Sequence, residues 1–242
     1  FHTSGETVVD LTLSNPTECG FPEPDILSSL ADPAILHYAP DPRGLLTARN
    51  AVAGYYRDKG LRVEPSDVFL TASTSEAYAH LLTLLCDPGD EVLVPRPSYP
   101  LFEFLAQVSG VALAPYDLCY DHGWHLGALT VTGRTKAIVV VNPHNPTGMF
   151  LKEEEYHNLS ACNLPLIVDE VFIDYRFDDV RTVETAGREG GPLTFTLNGL
   201  SKLAALPQMK LGWIIVGGTG AGEAAARLET LCDTFLSVNT PA

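Results

Sequence analysis

A lysine set among apolar side chains is well suited to act as an amine nucleophile, and Lys202, in Asn198-Gly199-Leu200-Ser201-Lys202, is such a residue. Leu200 and the run Leu203-Ala204-Ala205-Leu206 disfavour its ammonium form and so favour condensation of the free amine with a carbonyl. Lysines are mostly exposed, so an isolated Ser-Lys describes a solvated surface residue just as well. Two polar signatures ahead of it change that weighting: Asn142-Pro143-His144-Asn145-Pro146-Thr147-Gly148, and the carboxylate that closes Pro165-Leu166-Ile167-Val168-Asp169. Each follows a short apolar run that reads as a buried strand. Open α/β sheets bind their ligands beyond the carboxyl ends of such strands.

Asp169 would be costly to bury without a partner, either a cation or a helix or turn start that it caps. In the Asn-Pro run the prolines fix the backbone, Gly148 permits an unusual turn, and the Asn145 amide can donate a hydrogen bond; an ordinary Asn-Pro turn would use the same residues. Thr71-Ala72-Ser73-Thr74-Ser75-Glu76-Ala77 passes from a strand into a helix. Ser73, Thr74 and Ser75 therefore sit where free N–H groups and the positive end of the helix dipole can meet an anion, and where simple capping is also served. Lys210, eight residues after Lys202, adds a point charge, and Tyr99, in Pro97-Ser98-Tyr99-Pro100, adds an aromatic suited to stacking or to packing.

The elements that must position these residues alternate. Strand-like runs are expected at 68–71, 91–94, 111–114, 137–141, 166–168, 194–197 and 211–216, and helical patterns at 45–59, 75–85 and 222–236. Asp87-Pro88-Gly89-Asp90 supplies turn chemistry after the second of these helices. Alternation of this kind predicts βα units and a mainly parallel sheet. The first forty residues, rich in Pro and Gly, read as an irregular arm over 1–40, leaving 41–242 as one large domain.

With 242 residues, 45% of them apolar, and mildly positive mean hydropathy, the chain can bury a sizeable core. Thirty acidic against fifteen basic residues give a formal charge of −15, which repels nucleic acid and anionic membranes, so neither is expected as a partner. No apolar stretch is long enough to span a bilayer. Five scattered cysteines, an odd number with no Cys-x-x-Cys pair, and seven dispersed histidines give no metal or dithiol pattern and favour a reducing cytoplasm. A start at Phe1 and a stop just after a helical pattern suggest a piece of a longer protein.

Taken together and in order, these motifs resemble the class I/II, fold type I, aminotransferases that depend on pyridoxal 5'-phosphate (PLP). The resemblance runs from Asn15-Pro16 to the final helix. It implies an α/β PLP-dependent transferase-like large domain, a mostly parallel sheet with one antiparallel strand flanked by helices, and a smaller carboxy-terminal domain before which this sequence stops. By the same resemblance Lys202, preceded by Ser201, is the imine-forming lysine, Asp169 pairs with the protonated ring nitrogen, and Asn145 meets the phenolate oxygen. Ser73, Thr74 and Ser75 form the phosphate cup and Tyr99 stacks on the ring.

Tyr38, in the same comparison, reaches the phosphate of a neighbouring subunit in a homodimer with a shared site, and Asn15 approaches the substrate. Two positions depart from the family pattern. Lys210 stands where an arginine usually binds the phosphate, which predicts weaker cofactor binding because the planar fork is lost. Phe172 stands where a tyrosine hydroxyl is usual, which predicts a raised pKa for the lysine's imine. The activity implied is transfer of an amino group between an L-amino acid and a 2-keto acid. A PLP-dependent decarboxylase or lyase shares every motif quoted, and a non-catalytic sensing module is the rival outside enzymes.

Overall fold

Six of the apolar runs form strands that are covered on both faces, as near-continuous hydrophobic sequences in a parallel sheet should be. They are β1 (Val68–Thr71), β2 (Glu91–Arg96), β5 (Thr135–Val141), β6 (Leu166–Asp169), β7 (Thr194–Gly199) and β8 (Gly212–Gly217). Two further strands, β3 (Ala112–Tyr120) and β4 (Trp124–Leu126), lie at one edge and are more exposed. The structure is a computed structural model, and it describes residues 15–22, 25–176 and 182–238. Residues 1–14, 23 and 24 of the expected arm and residues 239–242 lie outside that set.

Strand order is β1-β8-β7-β6-β5-β2-β3-β4. The pairs β2–β3, β2–β5, β5–β6 and β6–β7 are parallel, and β8 runs antiparallel to both β7 and β1. This is the mostly parallel sheet with one antiparallel strand, to which β4 adds a short antiparallel pairing on β3 that the sequence reading did not foresee. Because β8 reverses direction between β7 and β1, the carboxyl ends of β1, β2, β5, β6 and β7 all lie at the same end of the sheet.

The helices are α1 (Leu27–Leu30), α2 (Leu46–Asp58), α3 (Thr74–Leu85), α4 (Leu101–Val108), α5 (Glu153–Ser160), α6 (Leu200–Leu203) and α7 (Ala221–Phe235). Alternation along the strands divides the core between the two faces of the sheet. Phe69, Val92, Val139, Ile167, Phe195 and Ile214 pack with α3, α4 and α7 through Leu81, Phe102 and Leu228. On the other face Leu93, Ile138 and Val168 meet Tyr156 and Leu159 of α5, while Val68, Trp213 and Ile215 meet Ala53 and Tyr56 of α2. Among the described residues no helix is long and apolar enough to cross a membrane.

One close approach fixes the start of α3. Thr71, Gly212 and Gly199 are register partners across β1, β8 and β7. A Cβ on Gly212 would lie 3.0 Å from the Ser73 carbonyl carbon and the Thr74 nitrogen, so a side chain there would have to push the start of the helix away from the sheet. Ser73 caps that helix by accepting from the Glu76 N–H at 3.2 Å.

Candidate active site

Beyond the carboxyl ends of β1, β6 and β7 lies a cavity of about 230 Å³, and it gathers eight of the residues singled out from the sequence. Ser73, Thr74 and Ser75 reach it from the first turn of α3, Asp169 from the end of β6, Ser201 and Lys202 from α6, Lys210 from the turn before β8, and Tyr99 from the loop before α4. Most arrive where a buried strand ends and the chain turns, whereas Lys210 arrives from a turn that precedes a strand.

Asp169 carries the most altered chemistry of the group. Its Oδ1 accepts from the Val171 N–H and its Oδ2 from the Tyr78 hydroxyl, both at 3.1 Å. Burial pushes the carboxyl up to about 6, and these two donors pull it partly back. Lys202 is half-buried and its ammonium is lowered from the ordinary lysine value, chiefly by desolvation, with Cys19 acting in the opposite direction. Its Nζ lies 5.4 Å from the centre of the Phe172 ring, and its carbonyl accepts from the Tyr175 hydroxyl at 2.8 Å. Phe172 therefore meets the lysine without lining the cavity.

The part of the wall formed by Lys210 and Tyr99 is more exposed. Lys210 is exposed and adopts the left-handed backbone conformation, with φ 52°, which few non-glycine residues adopt. Tyr99 is 47% exposed, and its ring meets Phe102 edge-on at 6.2 Å. The N–H groups at the start of α3 and the Lys210 ammonium make this end suited to an anion.

Three candidates stand apart. Asn145 is half-buried in the loop after β5 and is not in the cavity wall; β5 pairs with β6 so that Val141 is opposite Asp169. Tyr38 is 79% exposed and lines a different cavity, of about 410 Å³. That larger cavity is mostly apolar and contains no lysine, so it offers no amine chemistry. Asn15 caps a short 3-10 turn, accepting from the Thr17 N–H at 3.2 Å and donating to Glu18 at 2.8 Å.

Sequence reasoning missed Tyr78, a buried cavity-lining residue one helical turn beyond Thr74 and Ser75. The signal was present only as that spacing. It also missed two supports of the Asn-Pro loop. The Asn142 side chain accepts from the Leu151 N–H at 2.9 Å and donates to the Val183 carbonyl at 2.7 Å. Burial pushes His144 down to about 4, leaving it neutral, with its Nδ1 2.9 Å from the Thr147 hydroxyl.

A model of the family described as aminotransferase class I and II matches residues 22–241. The chain belongs to that family. A relative, glutamate-pyruvate aminotransferase AlaA of Haemophilus influenzae, is 32% identical over 98% of this chain and 62% of its own length. The alanine aminotransferase of Mycobacterium tuberculosis is also 32% identical, over 98% of this chain and 59% of its own. Among solved structures, an alanine aminotransferase from Pyrococcus furiosus superposes with a TM-score of 0.84 at 28% identity, covering 99% of this chain and 64% of that one. This aminotransferase-family chain thus spans about 60% of the length of these two curated relatives.

Class I and II aminotransferases of this fold are PLP-dependent, and the cavity can be tested against that cofactor. A phosphorylated pyridine aldehyde needs an amine for its aldehyde, an anion for its ring nitrogen, and N–H groups with a cation for its phosphate. Lys202, Asp169, and the start of α3 with Lys210 line one cavity in this aminotransferase-family chain. The donor set fits the group, with Lys210 in place of a bidentate arginine.

Proposed function

We propose that the protein is a PLP-dependent aminotransferase that moves an amino group between an L-amino acid and a 2-keto acid. The observation that carries this reading is the joint presence of Lys202 and Asp169 in one cavity with an anion-binding helix start. PLP, when bound, supplies an aldehyde that condenses with amines and a ring that accepts electrons from the substrate α-carbon. Lys202 would supply the amine that holds the cofactor and, when free, would carry the proton at the substrate α-carbon; desolvation lowers its pKa from the ordinary lysine value, which favours the free base. Asp169, as a carboxylate, would keep the ring nitrogen protonated. Ser73, Thr74, Ser75 and Lys210 would hold the phosphate and Tyr99 would cover the ring, while Asn145 and Phe172, outside the cavity wall, would serve the phenolate side, with Ser201 beside the lysine.

The same reading assigns residues 1–40 to an arm and 41–242 to the cofactor-binding domain. It makes the active protein a homodimer in which Tyr38, exposed and away from the cavity of its own chain, serves the partner's phosphate, while Asn15 serves the substrate. The five free cysteines support a reducing cytoplasm. Relatives named for alanine, and for glutamate with pyruvate, make those the first substrate pairs to try; a mouse relative named for tyrosine widens the set.

The test is the visible absorption spectrum of the full-length protein, supplemented with PLP and desalted, as wild type and as Lys202→Ala. A retained band that needs Lys202, is bleached by an amino acid and is restored by a keto acid supports transamination. Carbon dioxide release in place of a keto acid product moves the reaction to a decarboxylase. No retained cofactor in wild type overturns the reading.

A further inference from the structure

Tyr78 occupies a position that core packing alone does not explain. It is 4% exposed, yet its hydroxyl reaches the cavity wall and lies 3.1 Å from Asp169 Oδ2. Two other buried tyrosines satisfy their hydroxyls inside the scaffold: Tyr116 donates to the Val139 carbonyl at 2.8 Å, and Tyr56 accepts from Trp213 at 3.0 Å. Tyr78 instead donates a hydrogen bond to the carboxylate of the candidate site. Its ring packs edge-on against Phe102 at 5.0 Å, and Phe102 in turn meets Tyr99 at 6.2 Å. Through α3 it is also tied to the anion end of the cavity, since Thr74 and Ser75 precede it by four and three residues on the same helix face.

We infer that Tyr78 is a positioning residue that fixes the orientation of the Asp169 carboxylate and keeps it ionised, setting a constant span between the ring-nitrogen end and the phosphate end of the site. The inference rests on the aminotransferase reading for its purpose, though not for its geometry. With Oδ1 engaged by the Val171 N–H and Oδ2 by Tyr78, the carboxylate plane is set and each oxygen keeps capacity for one further bond. A phenol donor favours the ionised carboxylate over the acid and so opposes the effect of burial. The other groups around Asp169 are Lys202 from α6, Lys210 from the turn before β8, and Tyr99 from the loop before α4. Glu170, next in the chain, is hydrogen-bonded to Thr185, and Tyr116 acts electrostatically on Tyr78.

The experiment compares wild type, Tyr78→Phe and Asp169→Asn in the full-length protein. Tyr78→Phe removes one atom and keeps the ring, so the fold is retained. In cofactor-free protein labelled with 13C at aspartate carboxyls, the Asp169 resonance, assigned by its loss in Asp169→Asn, should titrate about one pH unit higher in Tyr78→Phe. PLP affinity measured by equilibrium dialysis should fall about tenfold in Tyr78→Phe, with the loss on acidification beginning at higher pH than in wild type. An Asp169 midpoint unchanged by Tyr78→Phe overturns the inference, whatever happens to affinity. A wild type that retains no PLP overturns the functional reading instead, and the titration in cofactor-free protein still decides whether Tyr78 controls Asp169.

Discussion

Asp169 and Glu170 are consecutive carboxylic acids at the end of β6, yet they serve opposite sides of the sheet. Asp169 opens onto the cavity and takes donors from the Val171 backbone and from Tyr78. Glu170 is fully buried on the other side, where its Oε1 accepts from both the Thr185 N–H, at 2.8 Å, and the Thr185 hydroxyl, at 2.9 Å; its Oε2 has no hydrogen-bond partner among the described residues. Burial raises both, to about 6 and about 7. Residue type and desolvation are therefore shared, and only the surroundings differ: one acid faces space that a ligand can enter, the other a closed polar cluster. A shifted carboxyl marks a site only where the geometry also leaves it something to act on.

The largest test of that contrast is a pair of isosteric changes. Asp169→Asn should lower kcat/KM for amino-group transfer by about 10²- to 10³-fold, whereas Glu170→Gln should change it by less than about tenfold. Equal losses in the two variants would erase the distinction.

The next test uses pH. Both acids are raised above their unfolded values, so between about pH 4 and 7 the native state binds more protons than the unfolded chain, and stability falls as pH rises through that window. In cofactor-free protein, Glu170→Gln should remove about 3 kcal/mol of that fall, measured by urea unfolding at pH 5 and pH 8. A pH slope identical to wild type would mean that Glu170 titrates normally.

Smaller effects probe the cavity side alone. Gly212→Ala forces a methyl group against the backbone of Ser73 and Thr74 and should cost about 1–3 kcal/mol in thermal or urea unfolding while weakening PLP binding. Lys210→Arg restores a planar two-pronged donor at the phosphate end and should tighten PLP by about tenfold in equilibrium dialysis. An arginine that binds no better would show that the left-handed turn at Lys210 keeps its side chain from the anion.

Much of the fold was legible because strands covered on both faces must be nearly continuous apolar runs. The stretches at 137–141 and 194–197 became central strands for that reason, and 68–71 became a buried strand at the end of the sheet beside β8. Less legible were α4, α5 and the β3–β4 hairpin. The α5 sequence is strongly acidic, and Glu155 is nonetheless buried because it accepts from the Leu126 and Lys152 N–H groups, a duty set by a hairpin distant in the sequence. At the site, Lys202, Asp169 and the helix start could be picked out because each follows a strand. Tyr78 could not, since a tyrosine at a helical core position reads as packing until the strand it faces is known.

The sequence by itself determined the order of buried strands and polar turns, and with it the set of side chains presented at one end of the sheet. Those features depend on local periodicity and on the need of each apolar run to leave water. Tertiary structure alone decided which of two adjacent acids faces the cavity, that a phenol from α3 would hold it, and that Tyr38 would stand in a different cavity from Lys202. Those outcomes depend on how strand order and register bring distant segments within hydrogen-bonding distance, which no single segment encodes.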